Sequence, residues 1–338
     1  MIGCLLLGLL SSCADSNEKK KYSTHSFDYF DTASTITGYA ESQEEFDRVA
    51  DEILLQLKEY HQLYSIYHRF EGLENLCTVN EISDGAHREV KVDRRIIDLL
   101  LYAKEMYQKT DGMLNVMMGS VLSIWHNYRS VGMDDASNAS LPPMQSLWEA
   151  AKHSDIENLI IDEEKSTVYI IDPQATLDVG AIAKGYATEQ IARYLEEKGI
   201  SGYVLNIGGN VRTVGAKPDG SGWNIGIEDG AGGDYRAHLE IKNQSVVTSG
   251  SYQRYYTVEG KRYHHIIHPD TLMPAEGYLS VSVVCTDSGL ADGLSTALFC
   301  LPLEEGKALV EEMDGVEVLW VFEDGKEAVS SGWKNNLK

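Results

Sequence analysis

The sequence predicts an α+β fold, one two-lobed domain of mixed helices and antiparallel strands. Three observations lead there. The first half carries two long stretches with helical periodicity, the second half changes to short strand-like runs interrupted by two further helices, and the two types follow no strict βαβ alternation. With 338 residues, 43% of them hydrophobic, the chain is long and apolar enough for a sizeable core. No internal repeat or long linker interrupts 27–335, which reads as a single domain.

In chain order, residues 1–12 come first, uncharged and centred on Leu5-Leu6-Leu7-Gly8-Leu9-Leu10. That run is too short to span a bilayer and matches the core of a signal peptide, although no basic residue precedes it. Leu10-Ser11-Ser12-Cys13 then resembles the bacterial lipobox, which makes Cys13 the expected lipidation site and the protein extracytoplasmic, anchored to the bacterial cell membrane by that lipid. Residues 13–26 are polar and aperiodic, as in a flexible tether, so folding is expected to begin near Phe27.

From Glu41 to Tyr67, Phe46, Val49, Ile53, Leu57, Tyr60 and Leu63 recur at three- and four-residue steps, predicting an amphipathic helix. A second runs from Asp93 to about Gln108. Strands are expected at Leu159–Ile161, Thr167–Ile171, Tyr203–Ile207, Asn224–Ile227, His238–Ile241, Ser245–Thr248, His264–Ile267 and Leu279–Cys285, and helices at Ala181–Lys198 and Gly289–Leu301. Cys77, Cys285 and Cys300 have neither disulfide-framework nor zinc spacing and read as small apolar residues.

The net charge of −23 excludes nucleic acid as a partner, which needs a basic footprint. It also sets a condition on any anionic ligand: a pyrophosphate can be held only by local cations, backbone N–H groups or a metal ion.

Four segments carry candidate chemistry. Asp178-Val179-Gly180-Ala181-Ile182-Ala183-Lys184 joins an acid, a glycine turn and a helix start with a lysine, which suits a phosphate and equally suits an ordinary helix start. Asn206-Ile207-Gly208-Gly209-Asn210 reads as a hairpin or bulge, or as a place where backbone approaches a ligand. Thr248–Tyr252 is followed by His264, His265 and His268. In an extended segment the first two histidines point to opposite faces, which disfavours zinc and leaves a single histidine as base or phosphate ligand. Asp292 and Thr296, four apart on a helix, share a face and offer oxygen ligands to Mg²⁺, while Asp292 alone equally fits a charge matched to a helix dipole.

Taken in order, Asp178–Ala187, Asn206–Asn210, Thr248–Tyr252, His265–Thr271 and Ala291–Ala297 resemble the signature blocks of the ApbE-type FAD:protein FMN transferases, with Thr110–Asn115 and Trp125 extending the match into the helical half. The resemblance implies a T-fold-like domain, FAD as substrate, Mg²⁺ as cofactor, and transfer of FMN to a Thr or Ser hydroxyl of an extracytoplasmic flavoprotein with release of AMP. It implies a metal site of the Asp292 and Thr296 side chains with the Ala181 carbonyl, Asp292 being catalytic through the metal, and FAD contacts at Met113, Leu114, Asn115, Asp178, Lys184, His265 and Ile267. It also implies that His265 accepts the acceptor's proton. Two departures stand out: Leu114-Asn115 where the family commonly has Phe-Asp, and His268 where it usually has Asp. Hydrolysis of FAD to FMN and AMP, or carriage of FAD without chemistry, are the alternatives that the residues leave open.

Overall fold

The first periodic stretch folds as α1, Gln43–Tyr64. Ser42 caps it by accepting the Glu45 N–H at 3.1 Å, and Phe46, Val49, Ile53, Leu57 and Leu63 form its buried face. The computed structural model describes residues 18–230 and 235–333, so the expected signal segment and Cys13 lie outside the described residues. Further helices are α2, Arg94–Lys109, capped by Asp93; α3, Gly119–Asp134; α4, Met144–Ala151; α5, Ala183–Glu197; α6, Ser288–Cys300; and α7, Leu303–Glu311.

An eight-stranded sheet organises the rest. Its strands are β1, Lys20–Ser26; β2, Ser34–Ala40; β3, Tyr203–Ile207; β4, Asn210–Val214; β5, Ser245–Gly250; β6, Tyr278–Cys285; β7, Glu317–Phe322; and β8, Glu327–Val329. They lie side by side in chain order, every neighbouring pair antiparallel. Side chains alternate across the sheet as the pleat requires. Along β6, Val281 and Val283 enter the main core beneath α5 and α6. Val284 points the other way, into a smaller cluster under the hairpin Trp223–Glu228 with Tyr235–Ile241.

Two expectations are corrected. Residues 20–26 are not tether: β1 pairs along its whole length with β2, from Lys20 opposite Ala40 to Ser26 opposite Ser34, which moves the start of the folded chain from Phe27 to Lys20. The strand expected at His264–Ile267 ends at its first residue. Lys261–His264 pairs with Tyr255–Val258, and the His264 ring then accepts the Ile266 N–H at 3.2 Å and turns the chain out of the ladder.

Helices α5 and α6 cross at Gly185. A Cβ there would lie 2.3 Å from the Asp292 Cβ and 2.4 Å from the Ser288 carbonyl oxygen, so only glycine permits this approach. Gly185→Ala is expected to destabilise the protein by about 3 kcal/mol or more, at the upper end of overpacking costs. Urea denaturation of both proteins measures it, and an unchanged midpoint would contradict the tight crossing.

Candidate active site

The N-terminal end of α5 and the middle of α6, at Asp292 and Thr296, open onto a cleft of about 470 Å³, closed on its other sides by β5, the β3–β4 turn, α3 and the segment after His264. Every site residue expected from the sequence within the described chain lines it: Met113, Leu114, Asn115, Asp178, Ala181, Lys184, His265, Ile267, Asp292 and Thr296.

The β3–β4 turn contributes Gly208 and Asn210. Gly208 and Gly209 both have positive φ, +59° and +90°, between the paired residues Ile207 and Asn210, which makes a two-residue hairpin loop of the type that fits strand twist. Asn206 Oδ1 accepts the Gly209 N–H at 3.0 Å and fixes it.

Asp292 is 6% exposed. Its Oδ2 accepts the Gly185 N–H at 2.7 Å, while its Oδ1 takes no hydrogen bond among the described residues. Burial raises its pKa, opposed by Lys184 and by the Gly185 N–H. In a helix the Gly185 N–H would bond the Ala181 carbonyl; its diversion to Asp292 leaves that carbonyl with no main-chain donor among the described residues. A buried carboxylate oxygen, a freed carbonyl and the Thr296 hydroxyl are all hard oxygen donors, a set that fits Mg²⁺ once substrate phosphates complete the shell. Among the described residues no group of three or more His, Cys, Asp or Glu is placed to hold a metal, and this set draws only one ligand from those types.

A buried ion network fixes α6. Glu189 Oε2 accepts the Ser288 N–H and the Arg212 Nε–H, both at 2.9 Å, and Arg212 also reaches Glu196 at 3.0 Å. The first turn of α6 is thereby tied to α5 and β4.

The three histidines have separate environments. His264 donates from Nε2 to the Ala275 carbonyl at 2.7 Å, and His268 accepts the Asp270 N–H at 3.1 Å. His265 alone faces the cleft, its Nδ1 closed off from solvent and without a partner. Burial first, then the charges of Arg254 and Arg129, push its pKa down to about 3, so it is a neutral imidazole with a spare acceptor.

Other expected contacts differ in kind. Asp178 Oδ1 accepts the Gly180 N–H at 2.8 Å and burial raises its pKa. The Asn115 amide is spent on the protein, donating to the Ser154 carbonyl at 2.8 Å and accepting the Met117 N–H at 2.9 Å, so its side chain shapes the cleft wall. Leu114 and Ile267 supply buried apolar surface.

Several lining residues were not expected, among them Arg129, Arg254 and Tyr67. Arg129 and Arg254 enter the cleft with no carboxylate partner among the described residues, as does Lys184. These are the local cations that an anionic ligand requires in so acidic a chain. Tyr67, 57% exposed, presents an aromatic ring at the mouth, 5.7 Å from the ring of His126.

Comparison with known proteins agrees with this architecture. The ApbE family model matches residues 30–320. The FAD:protein FMN transferase of Klebsiella pneumoniae (strain 342) is 31% identical over 293 residues, 82% of this chain and 88% of that one. Its counterpart in Treponema pallidum (strain Nichols) is 33% identical over 259 residues, 72% and 70% of the two chains. Among solved structures, the ApbE protein of Thermotoga maritima superposes with a TM-score of 0.80 at 29% identity, and the flavin transferase ApbE of Vibrio cholerae with 0.76 at 25%. Each superposition covers 94% of this chain and 100% of the other.

Proposed function

The chain belongs to the ApbE family, and on that premise we propose that it is a Mg²⁺-dependent FAD:protein FMN transferase. The observation that carries the reading is the gathering, in one cleft, of a neutral histidine, three cations without a carboxylate partner among the described residues, and three oxygen donors at the crossing of α5 and α6.

In this reading the pyrophosphate of FAD lies against Lys184, Arg129 and Arg254, whose charges offset its own. Asp292, Thr296 and the Ala181 carbonyl would hold Mg²⁺, which when bound would neutralise charge on the transferring phosphoryl group. The hydroxyl of an acceptor Thr or Ser attacks the FMN-side phosphorus, forming the new P–O bond as the bond to AMP breaks. His265 takes the hydroxyl proton. Tyr67 offers a flat face to a ring of the flavin or the adenine. Water in place of the protein hydroxyl would give FMN and AMP, and His265 would serve it equally. The family's relatives favour the protein acceptor.

The proposal extends to the segment outside the described residues: 1–12 as a signal segment and Cys13 as the lipidated residue, placing the enzyme beside extracytoplasmic acceptors. Mixing the protein with FAD, Mg²⁺ and a candidate acceptor domain tests the reaction. Flavin fluorescence on the denatured acceptor, with stoichiometric AMP, is expected; AMP without bound flavin would make it a hydrolase, and neither product a carrier.

A further inference from the structure

We propose that Ser249 and Ser295 are positioning residues that set the direction of the Thr296 hydroxyl, so that Thr296 presents lone pairs, and no hydrogen, to a cation in the cleft. The inference rests on the proposed metal site.

Four groups form a chain leading away from the cleft. Thr296 Oγ1 lies 3.3 Å from Ser249 Oγ, Ser249 Oγ lies 2.8 Å from Ser295 Oγ, and Ser295 Oγ lies 2.9 Å from the carbonyl oxygen of Asp292. The last group can only accept. Ser295 must therefore donate to it, which leaves Ser295 able only to accept from Ser249. Ser249 spends its single hydrogen there and can only accept from Thr296. Three contacts and three hydrogens admit one assignment in which all are satisfied: Thr296 to Ser249 to Ser295 to the Asp292 carbonyl.

The surroundings enforce this order. Ser295 is fully buried on α6 and does not line the cleft, so no water can supply a competing partner. Ser249 sits on β5, opposite Val281 of β6, at the cleft wall, and its hydroxyl contacts both Ser295 and Thr296 of α6. A Thr hydroxyl free to rotate would aim its hydrogen at a cation in some orientations; this chain removes them. It also terminates on the main chain of Asp292, so the relay ties the Thr296 side chain to the backbone that carries the other side chain of the proposed metal site.

The test uses the full chain with ADP as a pyrophosphate ligand and Mn²⁺ as a paramagnetic probe with the same preference for oxygen donors, read as the free-ion signal by electron paramagnetic resonance. Ser249→Ala and Ser295→Ala are each expected to weaken Mn²⁺ binding by about tenfold, the usual scale for outer-shell partners of a metal ligand. Thermal midpoints should fall by no more than about 2–4 °C, the scale of one lost hydrogen bond, and Ser249→Thr, which keeps the hydroxyl, should restore affinity. The Ser295 variant is the sharper probe, because that side chain never touches the cleft. Wild-type affinity in Ser295→Ala would overturn the relay. Asp292→Ala separates the two levels: if it loses Mn²⁺ while both serine variants keep it, the relay is wrong and the metal site stands. If Asp292→Ala binds Mn²⁺ like the wild type, or the wild type binds none, the metal site fails and the relay with it.

Discussion

Asp292→Asn is expected to lower Mg²⁺-dependent FMN transfer by a factor of about 10³ or more while leaving the fold intact, about 4 kcal/mol of transition-state stabilisation. The asparagine keeps an oxygen for the Gly185 N–H, which Asp292 now accepts at 2.7 Å, so the crossing of α5 and α6 survives. Its amide group, however, turns two donors toward the place where a cation must sit, and the negative charge is gone. Asp292→Ala should lose as much activity and stability besides. It strands the buried Gly185 N–H, at about 1–3 kcal/mol for an unsatisfied donor. Initial rates across a Mg²⁺ titration and urea midpoints for both variants separate the two effects. A wild-type rate in Asp292→Asn would remove the carboxylate from the chemistry and leave it as a helix clamp.

How far the sequence led differs by segment, for physical reasons. The helices beginning at Ala183 and Ser288 were legible within two residues of their starts, because acid, glycine and apolar spacing mark a helix N-terminus locally. The glycine pair at 208–209 announced its hairpin for the same reason. Strand β1 did not: Lys20-Lys21-Tyr22-Ser23-Thr24-His25-Ser26 is held by the ladder to β2 at the sheet edge, where few side chains need be apolar. Only Tyr22, stacked on Phe46 at 5.6 Å, ties it to the core. Arg129 and Arg254 were implied by charge balance without being identifiable, since one lies near the end of α3 and the other in a loop, more than a hundred residues apart. Only the tertiary fold brings them to His265, so the depression of that imidazole from an ordinary value near 6.5 was equally out of reach.

That depression shapes what His265→Ala should do. Removal of a general base is expected to slow transfer by about 10²- to 10⁴-fold. FAD affinity should stay close to wild type, because the cations and the cleft walls remain. The sign of the pH dependence follows from the value of about 3. The neutral imidazole is the active form, so in the free protein it stays active well below pH 6.5, and kcat/KM should show no acidic limb near that value from this residue. Once FAD is bound, its pyrophosphate offsets Arg254 and Arg129, which raises the pKa again, so the limb in kcat should lie at higher pH than the limb in kcat/KM. The unfolded chain takes up this proton near pH 6.5 and the native one does not until about pH 3. The stability linked to His265 is therefore complete above 6.5 and is lost as the pH falls through that window, a slope that His265→Ala should lack. The imidazole resonance missing from the His265→Ala spectrum identifies the residue in an NMR titration of the free protein. If that resonance titrates near 6.5, burial and the two arginines do not depress the imidazole in the free protein, and an acidic limb from His265 should then appear near that pH in kcat/KM.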